Sequence, residues 1–129
     1  MLRIVSSSLV ALALLGGCSG DGGAEVAMAP GRRFDPTTIE VAVGSTVTWV
    51  SEGDEAHTVT AYEDSLGSGA SFFSSGGFGS ESDARDNVAE ALIEPGGSYE
   101  VTFDQPGTYE YFCIPHEEAG MKGTVVVEG

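Results

Sequence analysis

A thiol, an imidazole and a thioether lie within nine residues near the carboxyl end of this chain, in the segment CIPHEEAGM from Cys113 to Met121. The chain of 129 residues has only two cysteines, two histidines and three methionines, so His57 is the only other imidazole available. Thiolate, thioether and imidazole suit copper, and two His and one Cys with a weak axial Met form the blue-copper arrangement. The sequence therefore predicts a metal site made of His57, Cys113, His116 and Met121. Copper is favoured over zinc, which two His and one Cys would also hold.

The strand that precedes this segment decides where its thiol points. Tyr109, Tyr111 and Cys113 occupy alternate positions after the turn residues 105–107. Alternate side chains of a strand lie on the same face, so we expect the sulfur of Cys113 to enter the core together with the tyrosines. Pro115 discourages further strand pairing. The residues after it are therefore predicted to form a loop that brings its histidine and methionine to the same point.

Short alternating apolar patterns separated by Gly and Pro turns dominate the domain, and they are typical of an all-β sandwich. The predicted strands lie near residues 38–43, 47–49, 57–61, 99–103, 109–113 and 123–128.

One long connection departs from the strand pattern. Residues 65–77 are rich in Gly and Ser and are predicted to be loop, whereas 80–92 contain good helix formers and are predicted to be one short helix. Ser80 and Asp83 are placed roughly as a capping box at its start. The phenylalanines of the connection are expected to hold the loop against the sandwich; they are Phe72, Phe73 and Phe78.

The amino terminus has the pattern of an exported and lipidated protein. Residues 1–17 are predicted to be a cleaved signal, because a basic start precedes an apolar run too short to span a membrane. The motif LGGC ends at Cys18, which is predicted to be lipidated and to anchor the protein at the extracytoplasmic face of the cell membrane. Residues 18–25 would then be the lipidated cysteine and a tether, and 26–129 a single domain. The alternatives are a short buried helix in place of the signal, or a free cysteine in a conventional leader.

The charge of the chain is strongly negative. After Cys18 there are 20 acidic residues against four basic ones, a net charge of −16. Nucleic acid is therefore not expected as a partner. The acids are spread along the chain and Lys122 is the only lysine, which favours a surface adapted to high salt. The alternative is that acidic patches steer a basic redox partner.

Two stretches resemble the cupredoxins, in particular the plastocyanin and halocyanin group. One is FDPTTIEV from Phe34 with GSTVTW from Gly44, and the other is GTYEYFCIPHEEAGMKGTV from Gly107, with its C-x2-H-x4-M spacing. The likeness covers roughly 26–129, and the lipidation motif and acidic composition resemble the halocyanins of salt-loving archaea. Family membership implies an eight-stranded Greek-key β-sandwich with one type 1 copper ion at one end. The activity implied is one-electron transfer.

The resemblance assigns a role to each ligand. His57, Cys113 and His116 match the equatorial ligands and Met121 the axial one, and the exposed edge of His116 matches the place where partners dock. Where the family usually has Asn to tie the ligand loops together, this chain has Thr58, which puts the side-chain bridge in doubt. The backbone N–H of that residue could still donate to the Cys113 sulfur.

The residue beside the cysteine marks a second departure from the family. Phe112 stands where the family has Tyr. Its parity is opposite to that of Cys113, so it is expected to face outward. His116 and Phe112 are accordingly the two candidate routes for the electron.

These observations favour a mobile electron carrier that is not an enzyme, is monomeric, and exchanges single electrons with redox proteins. A copper chaperone or storage protein is the first alternative, although such proteins use open sites rich in Met and His. A multicopper enzyme domain would need more than the two histidines present. An adhesion sandwich that has lost its metal would not need the intact ligand spacing.

Overall fold

The computed structural model describes residues 23–129, and they form two four-stranded sheets packed face to face. The strands are β1 (Gly23–Ala29), β2 (Arg33–Asp35), β3 (Thr38–Ala42), β4 (Ser45–Ser51), β5 (Thr60–Ala61), β6 (Ser98–Phe103), β7 (Gly107–Phe112) and β8 (Lys122–Glu128). Their order is β2-β1-β4-β6 in one sheet and β3-β8-β7-β5 in the other. The predicted eight-stranded β-sandwich is confirmed.

Both sheets are mixed. Strands β1 and β4 are parallel, as are β3 and β8, whereas the remaining pairs are antiparallel. A parallel pair needs a crossover between its strands, so the chain passes from one sheet to the other several times. Those crossovers place the end of β7 and the start of β8, which flank the predicted ligand segment, at one end of the sandwich.

Aromatic side chains fill the space between the sheets. Trp49 on β4 is fully buried and meets Tyr111 of the opposite sheet edge-on, with ring centroids 5.2 Å apart. Phe34 packs against Tyr111 in the same way at 4.7 Å, and Phe103 against Tyr109 at 4.8 Å. Each such pair stabilises the fold by about 0.5–1.5 kcal/mol beyond the contribution of burying its rings. The alternation predicted for β7 is thus confirmed, because both tyrosines and Cys113 are buried.

The long connection differs in detail from the prediction. It contains two short helices, α1 (Glu81–Asp86) and α2 (Val88–Ala91), where a single helix was predicted. Ser80 caps α1 as expected, since its hydroxyl accepts from the N–H of Asp83 at 3.0 Å. Asn87 separates the helices because its backbone angles, φ −131° and ψ 46°, are not helical.

The loop part of the connection is held as predicted by two of its phenylalanines. Phe73 is buried in the core and Phe72 packs against it. Phe72 and Phe78 are both half-buried, but of the two only Phe72 packs against the core.

Two predicted boundaries need correction. Strand β1 begins at Gly23 and pairs with Thr46 of β4, so residues 23–25, assigned to the tether, belong to the sheet. The β-rich segment 57–61 supplies only a two-residue strand, β5. The predicted signal 1–17 and the predicted lipid site Cys18 lie outside the described residues. Within residues 23–129, the structure has no helix whose length and hydropathy would allow it to cross a membrane.

Candidate metal centre

The segment from Cys113 to Met121 forms a closed turn at the end of β7. It forms 3-10 turns over Ile114–Ala119 where a loop was predicted; they are kinked at His116, whose φ of −122° and ψ of 20° are not helical, and Gly120 ends them with a φ of 89°. The N–H of Cys113 donates to the carbonyl of Met121 at 3.0 Å, and the N–H of Met121 donates to the carbonyl of His116 at 3.2 Å. These bonds tie all three predicted ligands of the segment to one another through the backbone.

The long connection places the fourth predicted ligand. His57 precedes β5 and exchanges two backbone hydrogen bonds with Ile93, which follows α2; the N···O distances are 3.1 and 2.7 Å. Ser75 braces the same region, because its hydroxyl accepts from the N–H of Val59 and donates to the carbonyl of Ala91. His57 is therefore a rigidly held, buried residue although it lies in no regular strand.

The three side chains His57, Cys113 and His116 converge on one point. Their ligand atoms lie 3.2 Å apart (Nδ1 to Nδ1), 3.8 Å apart (Sγ to Nδ1 of His57) and 3.4 Å apart (Sγ to Nδ1 of His116). A point equidistant from these atoms lies about 2.0 Å from each, close to the 2.0–2.3 Å of metal–N and metal–S bonds. The triangle thus fits a metal ion with no rearrangement.

Met121 lies beside this triangle. Its side chain is fully buried and belongs to the same apolar cluster as Cys113. A set of two imidazoles, one thiol and a thioether is the donor set that suits copper. The structure therefore brings together the three strong ligands of the prediction and buries the fourth, Met121, in the same cluster as Cys113.

Thr58 performs the bridging role that its substitution for Asn had put in doubt. Its hydroxyl accepts a 2.8 Å hydrogen bond from the N–H of Ile114, the residue after Cys113. Its own N–H donates to the sulfur of Cys113 at 3.3 Å. Thr58 is fully buried. A threonine can thus connect the two ligand segments through its hydroxyl and direct a donor at the thiolate through its main chain.

Burial shifts the pKa values of two ligands toward their neutral forms. Desolvation is the main cause that lowers the pKa of His57, and the nearby His116 adds to it. Desolvation likewise raises the pKa of the Cys113 thiol, against the N–H of Thr58, which favours the thiolate. A bound cation favours neutral imidazole and deprotonated sulfur. Burial thus keeps His57 neutral and ready to bind, whereas Cys113 would give up its proton when the cation binds.

One ion pair lies at the outer side of His116, and a second holds the residue that follows it in the chain. Arg32 holds Glu55, whose Oε1 is 3.9 Å from Nε2 of His116. Arg85 of α1 donates to Glu117 at 2.9 Å. His116 keeps only 11% of its side-chain surface exposed. The ligand predicted to be the exposed one thus presents a narrow edge beside the carboxylate of Glu55.

Phe112 does not face outward as expected. It lies on the opposite side of β7 from Cys113, but its side chain is fully buried. Tyr62 stacks on its ring at 4.2 Å, and the guanidinium of Arg85 lies 4.5 Å from the ring centroid. The hydroxyl of Tyr62 donates to Glu117 at 2.6 Å, which closes the cover. Parity gave the correct side of the sheet, but the connection covers that side.

Sequence reasoning missed four residues around the site: Arg32, Glu55, Tyr62 and Arg85. The available signal was the scarcity of basic residues. Only four follow Cys18, so each arginine could be expected to pair with one of the 20 acids. The partners are 23 residues apart for Arg32–Glu55 and 32 apart for Arg85–Glu117. No local pattern links residues at such separations.

Comparisons with known proteins agree with this geometry. The family model for copper binding proteins of the plastocyanin/azurin family matches residues 24–128. A plastocyanin from Scenedesmus fuscus is 39% identical over 95 residues, which cover 74% of this chain and 86% of that protein. A halocyanin from Natronomonas pharaonis is 40% identical over 99 residues, covering 76% of this chain and 50% of that protein. Among solved structures, a reduced amicyanin variant matches with a TM-score of 0.60 and 27% identity, over 87% of this chain and 86% of that one. A fern plastocyanin variant matches with a TM-score of 0.58 and 25% identity, over 81% of this chain and 99% of that one.

Proposed function

Because this chain belongs to the plastocyanin/azurin family of copper-binding proteins, we propose that it is a type 1 copper electron carrier whose ion is held by His57, Cys113, His116 and Met121. The observation that supports this most directly is the convergence of two imidazole nitrogens and one sulfur within 3.8 Å of one another. Copper bound there would supply a one-electron couple. The protein would exchange single electrons with other redox proteins and would not be an enzyme.

The contribution of the chain is to keep the ligands still. A carrier works fast when its ligands move little between the two oxidation states, and here backbone hydrogen bonds fix each ligand segment. His57 is paired with Ile93, and Cys113 is paired with Met121. Thr58 joins the two segments through its hydroxyl. Apolar side chains surround Cys113 and exclude water from the sulfur.

Absorption and electron paramagnetic resonance spectra of residues 19–129 with added Cu(II) test the proposal. A thiolate–copper bond gives an intense visible band and a small copper hyperfine splitting, and both should be absent from Cys113→Ser. Reversible reduction and oxidation of that band would establish the redox couple. A colourless, tetragonal Cu(II) spectrum in the unaltered domain would refute the type 1 site and favour the storage alternative.

We place the electron exchange on the extracytoplasmic face of a membrane, with the lipid on Cys18 as the anchor and a monomer as the working form. The support is the export signal pattern at residues 1–17 and the motif LGGC that ends at Cys18. The full-length protein should partition into detergent and carry the mass of an acylated cysteine, whereas Cys18→Ser should be recovered in the aqueous phase. Equal partition of the two forms would refute the anchor without touching the copper site.

A further inference from the structure

The two ring nitrogens of His116 meet different surroundings. Nδ1 lies 3.2 Å from Nδ1 of His57 and 3.4 Å from the sulfur of Cys113, on the side of the proposed metal. Nε2 faces outward and lies 3.9 Å from Oε1 of Glu55. A separation of this length is one at which a bridging water, or a shift of the 44% exposed Glu55 carboxylate by about 1 Å, completes the contact.

Arg32 fixes the position of that carboxylate. Its Nε donates to Oε1 of Glu55 at 3.1 Å and its Nη2 donates to Oε2 at 2.8 Å, which is a two-point contact. Such a fork fixes both the position and the plane of a carboxylate. Among the described residues Arg32 is also the one non-glycine residue with a positive φ, 60°. A strained backbone persists where its surroundings hold it, and such residues cluster at functional sites.

We propose that Glu55, held by Arg32, is a positioning residue for the metal centre. Its carboxylate receives the Nε2–H of His116, directly or through one water, which keeps the ring in the tautomer whose Nδ1 lone pair points at the ion. A carboxylate on the outer nitrogen of a ligating histidine fixes the orientation of the ring and makes it a stronger electron donor. The charge of Glu55 also favours the more highly charged oxidation state of the ion. This inference rests on the proposed copper function.

The reduction potential separates positioning from mere structure. Removing the charge in Glu55→Gln should favour Cu(I) by roughly fivefold, the size of a Coulomb interaction across about 7 Å, from the carboxylate past the imidazole to the ion, at an effective dielectric constant of about 50. At 59 mV per tenfold change for one electron, that is a rise of about 40 mV. Glu52→Gln is the matched control, because Glu52 is an exposed acid of the same segment. The control should shift the potential by less than a third as much.

Two further variants test the geometry. Glu55→Asp keeps the charge but withdraws it from His116, so it should show less than half of the potential shift seen for Glu55→Gln while still losing the contact with Nε2. In an Arg32→Gln background the effect of Glu55→Gln should fall by at least half, because the carboxylate is no longer held against the ring.

The Nε2–H proton gives a readout that does not depend on potential. In the reduced, diamagnetic protein it should give a proton–nitrogen signal that exchanges with water about tenfold faster in Glu55→Gln than in Glu52→Gln. Equal potentials and equal exchange rates in these two variants would overturn the inference while leaving the copper site intact. Failure of the unaltered protein to form a copper–thiolate band would overturn both the function and this inference.

Discussion

Replacing Thr58 with valine tests whether one hydroxyl joins the two ligand segments. Valine has nearly the same shape, so it leaves no cavity, but it removes the acceptor of the 2.8 Å hydrogen bond from the N–H of Ile114. Thr58 is fully buried, and a buried donor left without a partner costs about 1–3 kcal/mol. We expect the free energy of unfolding to fall by about 2 kcal/mol, or the Tm by roughly 10 °C for a domain of this size.

The same variant should leave the copper spectrum almost unchanged. The N–H that Thr58 directs at the Cys113 sulfur, at 3.3 Å, belongs to the main chain and survives the substitution. Unfolding in urea can be followed by the fluorescence of Trp49, the only tryptophan of the chain. Thr58→Ser keeps the hydroxyl and loses only a methyl group, at a cost of about 1 kcal/mol. If Thr58→Val were within 0.5 kcal/mol of the unaltered protein, the bridge would contribute nothing to stability.

Four other perturbations follow from the structure. Arg85→Gln should lower the free energy of unfolding in urea by about 1 kcal/mol, because it releases Glu117 and uncovers Phe112. Arg33→Gln is the control: its pair with Asp35 is exposed, so the free energy should not change measurably. Gly76→Ala should be at least about 2 kcal/mol less stable than Gly77→Ala. Both glycines have positive φ, so the backbone strain is matched. A Cβ at Gly76 would meet the carbonyl of Glu90 at 2.8 Å, whereas one at Gly77 would meet no atom within 4 Å. Burial raises the pKa of Tyr99 to about 12 from the ordinary 10.0. The free energy of unfolding should therefore fall by up to about 2 kcal/mol as the pH rises from about 10 toward 12. Tyr99→Phe should flatten that part of the profile of stability against pH. With 20 acidic and five basic residues, the protein should gain stability between 0.1 and 2 M KCl, and a flat response in thermal unfolding would count against a salt-adapted surface.

The ligand segment could be predicted from the sequence because its information is local. The parity of Tyr109, Tyr111 and Cys113 requires only that β7 be a strand, and the spacing to His116 and Met121 requires only a tight turn. Residues that depend on distant segments were predicted less well. Phe112 was placed on the correct side of its sheet but not under Tyr62, because the cover comes from a connection whose path no strand pattern fixes.

Some features of the fold depend on one or two residues, which a pattern taken over a whole segment does not reveal. Asn87 divides the predicted helix into two because one residue leaves the helical region of φ and ψ. Strand β1 was absent from the predicted strands, and its first residues were assigned to the tether because they include a glycine and an acid, whereas the parallel pairing with β4 stabilises them as strand. Thr58 kept a bridge expected of Asn, since the geometry requires an acceptor and either side chain supplies one.

The pairing of His57 with Ile93, together with the 56 residues that separate His57 from Cys113, has a consequence for how the protein acquires its ion. Contacts between residues so far apart form late, because the chain must close long loops before any of them stabilises it. A partly synthesised or partly folded chain therefore has scattered donors rather than a site. Copper loading becomes a late step of biogenesis, and the appearance of the copper–thiolate band would time the completion of folding.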